Sequence, residues 1–330
     1  MHALFPALLA LLLLPLTAIA APDCSGTDLG SALSEAERRE IRALSDATPY
    51  SRGNRWVARR GAQTIHLIGT LHFNDPRMKD VAARLAPLFE TADLLMVEVD
   101  RDSQLKFASA GGMSAFLLTE GPSLIDLMGD EVWAQTATVL RRNRIAPWMA
   151  AKMQPWLVAQ LLSVPGCLRQ DKSLSEGLDR QLEAIARDTG TPVRSLETLE
   201  EVLAVLNAAP LNQQVEDLVA ALPGYAGALD YFTTMQEGYF AEDIVFLQEV
   251  IRRHAKAHSP DRISDEIWER QWQRLQVSLL QNRNALWMPR ILARPERTIV
   301  IAVGAAHLSG ETGLLTGLER AGYSLTRAPL

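Results

Sequence analysis

The chain has 330 residues, with 33 Lys and Arg against 39 Asp and Glu, a formal net charge of −6 and 48% hydrophobic residues. This composition excludes a disordered chain, and its mild acidity argues against a nucleic-acid partner, whose phosphates ask for a basic face. The length suffices for one large domain or two small ones, and the absence of a low-complexity linker favours a single domain over residues 21–330.

Met1 to Ala20 holds no Asp, Glu, Lys or Arg, Leu8 to Leu14 is nearly pure Leu and Ala, and Ala18-Ile19-Ala20 is an A-x-A cleavage pattern. Residues 1–20 therefore read as a secretory signal. An uncleaved anchor is the alternative, against which Pro6 and Pro15 interrupt the apolar run that a span needs. Export predicts a periplasmic protein in an oxidising space. There the two cysteines, Cys24 and Cys167, predict one disulfide, with free thiols or a lipidated Cys24 as alternatives.

Trp56-Val57-Ala58 and Thr64 to Ile68 read as a hairpin turning at Arg60-Gly61. Asn74-Asp75-Pro76 starts a helix over Met78 to Glu90, and Leu94 to Val99 is a short buried strand. Strand, helix, strand is a βαβ unit and predicts parallel strands. From about Asp102 to Gln170 the pattern is helical: Leu105–Leu118, Leu124–Met128 and Glu131–Asn143, broken by Gly121-Pro122 and Pro147. Trp148 and Trp156, with Met149 and Met153, line a helix face that reads as core, or as the wall of a substrate groove. Leu178 to Asp188 is a further helix, and Val193 to Glu197 a short strand ending in an acid. Helices follow over 199–208, 213–222, about 242–258 and about 265–292, with 226–234 less clearly patterned. The chain closes with the strand Ile299–Val303, a helix over Gly313 to Ala321 and a last strand, Tyr323–Arg327.

The signature Gly-x-x-His occurs twice, each time after an apolar strand: Gly69-Thr70-Leu71-His72 and Gly304-Ala305-Ala306-His307. In an open α/β sheet, chemistry gathers at the carboxyl ends of strands, where a Gly permits a tight turn. Two imidazoles delivered there can share one metal ion, or one can bind while the other acts as a base. The strand–Gly-x-x-His–helix–strand order recurs at both ends, a weak internal repeat with a helical middle inserted between the halves.

Glu98 ends an apolar strand, where an ionised carboxylate needs a cation or a hydrogen-bonding partner. It reads either as a structural partner for an Arg or as a metal ligand or general base, with Asp100 as a backup on the same face. Glu197 reads equally as a second strand-end acid or as a first-turn acid of the next helix. Arg283 and Asn284 stand among Leu280, Leu286 and Trp287. The Arg can ion-pair with Glu98 or Glu197, polarise a carbonyl in the site, or lie on the surface. His66 alternates with Ile65 and Leu67 and reads as a plain strand residue. His254 and His258 sit among Arg252, Arg253 and Lys256 and read as a solvated basic face. The Gly-x-Ser-x-Gly elbow, the His-Glu-x-x-His helix, the phosphate loop and the Cys cluster are all absent from the sequence, so a serine nucleophile is not indicated.

Together, Leu67-Ile68-Gly69-Thr70-Leu71-His72, Val97-Glu98-Val99-Asp100, Gly177-Leu178-Asp179, Leu196-Glu197-Thr198, Gln281-Asn282-Arg283-Asn284 and Val303 to Gly310 resemble the TraB/GumN/PrgY family, which includes the Tiki proteases. The match is nearest to its bacterial GumN-like branch. The resemblance implies an α/β fold: a split mixed sheet from two related βαβ-type halves, with a large helical insertion at about residues 102–175, similar to erythromycin-esterase-like and haem-binding ChaN-like proteins. For the Tiki members it implies peptide cleavage dependent on Mn²⁺ or Co²⁺. Carried onto this chain, the catalytic groups are His72, His307 and Glu98, supported by Arg283 and Asn284. One departure is visible: Gln281-Asn282 stands where an acid is expected.

The sequence-level expectation is an exported metal-dependent hydrolase, a peptidase, in which His72, Glu98 and His307 hold a divalent cation (Mn or Co, with Zn an option) and leave a position open for water. Arg283 or Asn284 would stabilise the oxyanion, and Glu197 would shuttle protons. Its partner would be a peptide or protein substrate, including a membrane-associated one, and no nucleic acid. Two rival expectations stand beside it. One is a metal-independent esterase-like hydrolase. The other is a non-catalytic protein that sequesters a peptide or haem-like ligand in the same crevice.

Overall fold

The computed structural model describes residues 24–169, 171–259 and 263–330. The expected secretory signal at 1–20 and its cleavage pattern lie outside the described residues. Among the described residues, no helix is long and apolar enough to cross a membrane.

Six strands form one mixed sheet: β1 (Arg55–Arg60), β2 (Gln63–Thr70), β3 (Leu94–Val97), β4 (Val193–Ser195), β5 (Thr298–Gly304) and β6 (Ser324–Arg327), in the order β4-β3-β5-β2-β1-β6. β1 and β2 are the expected hairpin, and Gly61 takes φ +57° at the turn, a conformation that glycine adopts without penalty. β4, β3, β5 and β2 run parallel, whereas β1 is antiparallel to both β2 and β6. The first βαβ unit has its parallel strands, but they do not touch: β5, from the far end of the chain, lies between β2 and β3. The second unit differs from the first. Its closing strand, β6, joins the edge beyond β1.

Strand alternation explains why every central position is apolar. On β5, Val300 and Ala302 face one layer of helices, while Ile299, Ile301 and Val303 face the other. A parallel sheet covered on both faces requires this pattern. The first layer is built by α2 (Met78–Leu85), α7 (Leu178–Thr189), α10 (Ala228–Phe240) and α11 (Ile244–Ala257). The second comes from α13 (Asn282–Leu292) and α14 (Leu314–Arg320). A separate apolar cluster joins α4 (Leu124–Arg142), α6 (Pro155–Ser163) and α9 (Leu211–Ala221) away from the sheet. The remaining helices are α1 (Glu35–Ala47), α3 (Arg101–Ser109), α5 (Pro147–Ala150), α8 (Leu199–Leu206) and α12 (Asp265–Gln276). Helices thus run from Arg101 to Leu292 with only β4 interposed.

Several elements differ from the sequence pattern in instructive ways. The expected break near residue 130 is a kink inside α4, where Gly129 takes φ +73°. The long stretch at 265–292 is continuous but widens into a π turn over Val277–Gln281. Trp148 and Met149 are not core: they are 77% and 47% exposed. Pro147 opens a helix of a single turn, and the only buried residue of that turn is Ala150. Trp156 is half-buried, its indole N–H donating to Asn207 Oδ1 at 2.9 Å, and Met153 packs against the third cluster. Asp100 is not a spare site acid. It caps α3, accepting from the Ser103 backbone at 2.9 Å and from the Ser195 hydroxyl.

Cys24 and Cys167 form the expected disulfide, closing a loop of 143 residues. Such long-range closure removes much freedom from the unfolded chain. It also ties the N-terminal segment to the loop after α6. That segment lies along α10, where Thr27 N–H donates to Asp230 and Leu29 N–H to Thr234.

Candidate active site

The parallel register decides where the two Gly-x-x-His turns emerge. Gly69 pairs with Val303 and Thr70 with Gly304, so β2 and β5 end side by side. The turns are packed against each other: a Cβ on Gly69 would lie 2.9 Å from Ala305 Cα. β3, on the other side of β5, ends at Val97, opposite Ala302, and delivers Glu98 to the same level. The Gly304 N–H donates to Glu98 Oε1 at 2.7 Å. That oxygen lies 3.7 Å from His72 Nε2 and 3.9 Å from His307 Nε2. A Cβ on Gly304 would approach Glu98 Oε1 to 3.3 Å and His72 Nε2 to 3.5 Å, so the space where the three groups converge exists because this residue has no side chain.

The two imidazoles sit in opposite surroundings. His307 is buried, stacked at 4.4 Å on Trp287. Asn284 fixes it. The Asn284 amide nitrogen donates to the carbonyls of His307 (3.2 Å) and Thr312 (2.9 Å), which leaves its oxygen to accept from His307 Nδ1 at 2.7 Å. The ring therefore carries its proton on Nδ1 and presents a bare Nε2 to Glu98. Burial lowers the His307 pKa to about 4, with the Glu98 charge opposing and Arg283 reinforcing the shift. Asn284 is thus committed to holding His307 and has no donor left for a substrate.

His72 stands at the mouth, its side chain 55% exposed. Desolvation lowers its pKa, but the bond to Asp179 and the charges of Glu98 and Asp179 outweigh that and raise it to about 9. Its Nδ1 faces Asp179 Oδ2 at 3.4 Å. Asp179 reaches it because Gly177, the first residue before α7, lies against the His72 turn. A Cβ there would fall 2.3 Å from Leu71 O and 2.4 Å from the His72 carbonyl carbon. Gly177→Ala is expected to push these backbones apart, lowering stability by about 1–3 kcal/mol and loosening the His72–Asp179 pair. A thermal melt together with the imidazole NMR shifts of His72 would check it, and wild-type values for both would contradict the close fit.

Arg283 joins the two acids. Its Nη2 donates to Glu98 Oε2 at 2.6 Å and to Glu197, its Nε to Glu197 Oε1 at 2.9 Å, and its Nη1 to Leu279 O at 3.3 Å and to His307 Nε2 at 3.4 Å. Its guanidinium also lies over Trp287 at 4.8 Å. Of the readings the sequence left open for Arg283, the ion pair holds, and with both acids. Burial would raise the Glu98 pKa, yet His72, His307, Arg283 and the Gly304 N–H hold it well below the usual carboxylate range. Burial raises that of Glu197, with Arg283 opposing. The Glu197 side chain is fully enclosed, immediately before the α8 cap Thr198, and meets the centre only through the guanidinium.

A cavity of about 860 Å³ opens over this centre, and its lining includes His72, Glu98, Asp179 and Arg283 together with Val164 and Leu174 of the helical middle. The structure thus brings His72, Glu98, Arg283 and His307 together, with Asn284 and Glu197 behind them. Asp179 is the site residue that sequence reasoning passed over; its Gly-Leu-Asp context marked it, without a role. Among the described residues, no three His, Cys, Asp or Glu side chains close into a ready-made cation cage.

Two turns of one repeated signature, meeting at one carboxylate on a mixed α/β sheet, define a protein built around a polar centre at strand ends. The chain belongs to the TraB/PrgY/gumN family, whose sequence pattern matches residues 54–327. It is similar, at 27% identity over 256 residues, to uncharacterized protein YbaP of Escherichia coli (strain K12), covering 77% of this chain and 87% of that one. The Shigella flexneri protein of the same name matches to the same extent.

Proposed function

We propose that the chain is an exported, divalent-cation-dependent hydrolase of peptide bonds. One observation carries this reading: Glu98 Oε1 lies between the Nε2 atoms of His72 and His307, 3.7 and 3.9 Å away. Two imidazoles and a carboxylate are a donor set suited to Mn²⁺, Co²⁺ or Zn²⁺, and His307 already offers an unprotonated nitrogen. Charge agrees. With His72 neutral, Glu98, Asp179 and Glu197 face a single guanidinium, Arg283, and the two negative charges left over match a dication. His72, Glu98 and His307 would hold the ion, which supplies Lewis acidity, acidifying a water and polarising the scissile carbonyl.

The chain's own groups would do the rest. Asn284 holds the His307 tautomer and Asp179 orients His72, as hydrogen-bonded neighbours of liganding histidines do. Arg283 holds Glu98 in place, and its Nη1 is the donor nearest to where an oxyanion would form, a contribution of about 3 kcal/mol in comparable sites. We further propose that the sheet, with β5 between β2 and β3, is the split sheet of the erythromycin-esterase-like and ChaN-like proteins. The Cys24–Cys167 disulfide supports export to the periplasm.

Chelation tests the reading. EDTA is expected to abolish cleavage of a mixed peptide pool, and Mn²⁺, Co²⁺ or Zn²⁺ to restore it. Binding without cleavage under every one of these ions would remove the hydrolase and leave a sequestering protein.

A second reading has its own observation. Arg283 Nη1 lies 3.4 Å from His307 Nε2, close to where a cation would bind. In a metal-independent hydrolase, His307 would take the proton of a water and His72, held protonated by Asp179 and Glu98, would give one to the leaving group. Activity that survives EDTA would select it.

A further inference from the structure

We propose that Arg169 makes a carboxylate-binding subsite on the wall of the cavity, so that this site takes substrates carrying a free carboxylate. The inference deepens the peptidase reading and rests on it.

Arg169 lines the same cavity as His72 and Glu98. It lies on the loop after α6, two residues beyond Cys167. Its Nε donates to Asn143 O and its Nη2 to Val164 O, each at 2.8 Å. These two bonds fix the plane of the guanidinium and leave its other N–H groups unspent. The loop itself is held by the disulfide at Cys167 and by Gly166, where a Cβ would fall 2.9 Å from Asn143 Cα. The cation is therefore immobilised before any ligand arrives, which removes most of the ordering cost of binding.

The charge inventory of the cavity singles this residue out. Arg283 is neutralised by Glu98 and Glu197, and Arg180 by Glu183 at 2.9 Å. On the acidic side, Asp179 faces His72, Glu183 also holds Arg187, and Asp171 has partners of its own. Arg169 forms no ion pair with any described carboxylate. Burial alone acts on it, lowering its pKa. A half-buried, planar, pre-aimed guanidinium without a counter-charge is matched by a bidentate carboxylate. The cavity, at about 860 Å³, falls within the range that encloses a small ligand. A short peptide's terminal carboxylate or an acidic side chain both supply that chemistry.

Binding separates these sources without relying on turnover. The full chain as purified, with and without EDTA, is titrated calorimetrically with N-acetyl-trialanine, with its C-terminal amide, and with the amide of N-acetyl-Ala-Asp-Ala. The free acid is expected to bind at least about tenfold more tightly than the amide, the size of one charge-assisted contact. Arg169→Gln should level the two, and Arg169→Lys should keep only part of the difference. A gain confined to the aspartyl peptide would assign the carboxylate to a side chain. Equal affinities for the three in the wild type, no binding of any, or a preference undiminished in Arg169→Gln would overturn the subsite. The wild-type comparison stands even where a variant folds poorly. A preference retained in a protein that cleaves nothing would sink the hydrolase and leave the subsite standing.

Discussion

Replacing either His72 or His307 with alanine is expected to reduce metal content from about one ion per chain to background and to slow peptide cleavage by at least about a hundredfold. Losing a hydrogen-bonded neighbour of a liganding histidine typically costs 10–100-fold, so losing the ligand itself should cost no less. The two variants should differ in stability. His72 is half exposed and its removal opens nothing, whereas His307→Ala leaves a void beside Trp287 and strands the Asn284 oxygen, at about 1–3 kcal/mol. Asn284→Ala should fall between, weakening affinity for the ion without abolishing it. Elemental analysis of each purified protein decides the matter, and unchanged metal content in His72→Ala would remove that residue from the ligand set.

Arg283→Met is expected to lower stability by about 3–5 kcal/mol, the cost of leaving buried carboxylates without their cation. Glu197 is fully enclosed and Glu98 nearly so, and both lean on this one guanidinium. The deficit exists only while the stranded acids are ionised, so it should narrow as pH falls and they take up protons. Adding Glu197→Gln to Arg283→Met should recover part of the loss even at neutral pH. Urea unfolding at pH 7.5 and pH 5 measures both effects. A deficit independent of pH would mean that packing around Trp287, not charge, is what Arg283 supplies.

The sheet was largely legible because its central strands carry unbroken apolar runs: Ile65 to Ile68, Leu94 to Val97 and Ile299 to Val303. The interleaving of β5 between β2 and β3 was not. It depends on a pairing across more than two hundred residues that no local pattern encodes. For the site, repetition of Gly-x-x-His supplied both imidazoles, and an acid at an apolar strand's end supplied Glu98. Asp179 escaped notice because a first-turn Asp is ordinary on a helix. Only the contact of Gly177 with Leu71 and His72 brings it to the ring. Trp148 misled for a related reason. Aromatic and Met spacing implies a buried face only on a helix long enough to have one, and α5 is one turn.

The π turn at Val277–Gln281 carries a consequence for descent. A π turn is an α-helix holding one residue too many. Deleting that surplus residue would restore regular winding and swing everything downstream by about 100°. Arg283, Asn284 and Trp287, which share one side of α13, would swing away from Glu98 and His307 in concert. A lineage that lost a single codon there would retain both histidine turns in its sequence and still be silent, so the length of this helix is a better reader of chemical competence among relatives than the histidines themselves.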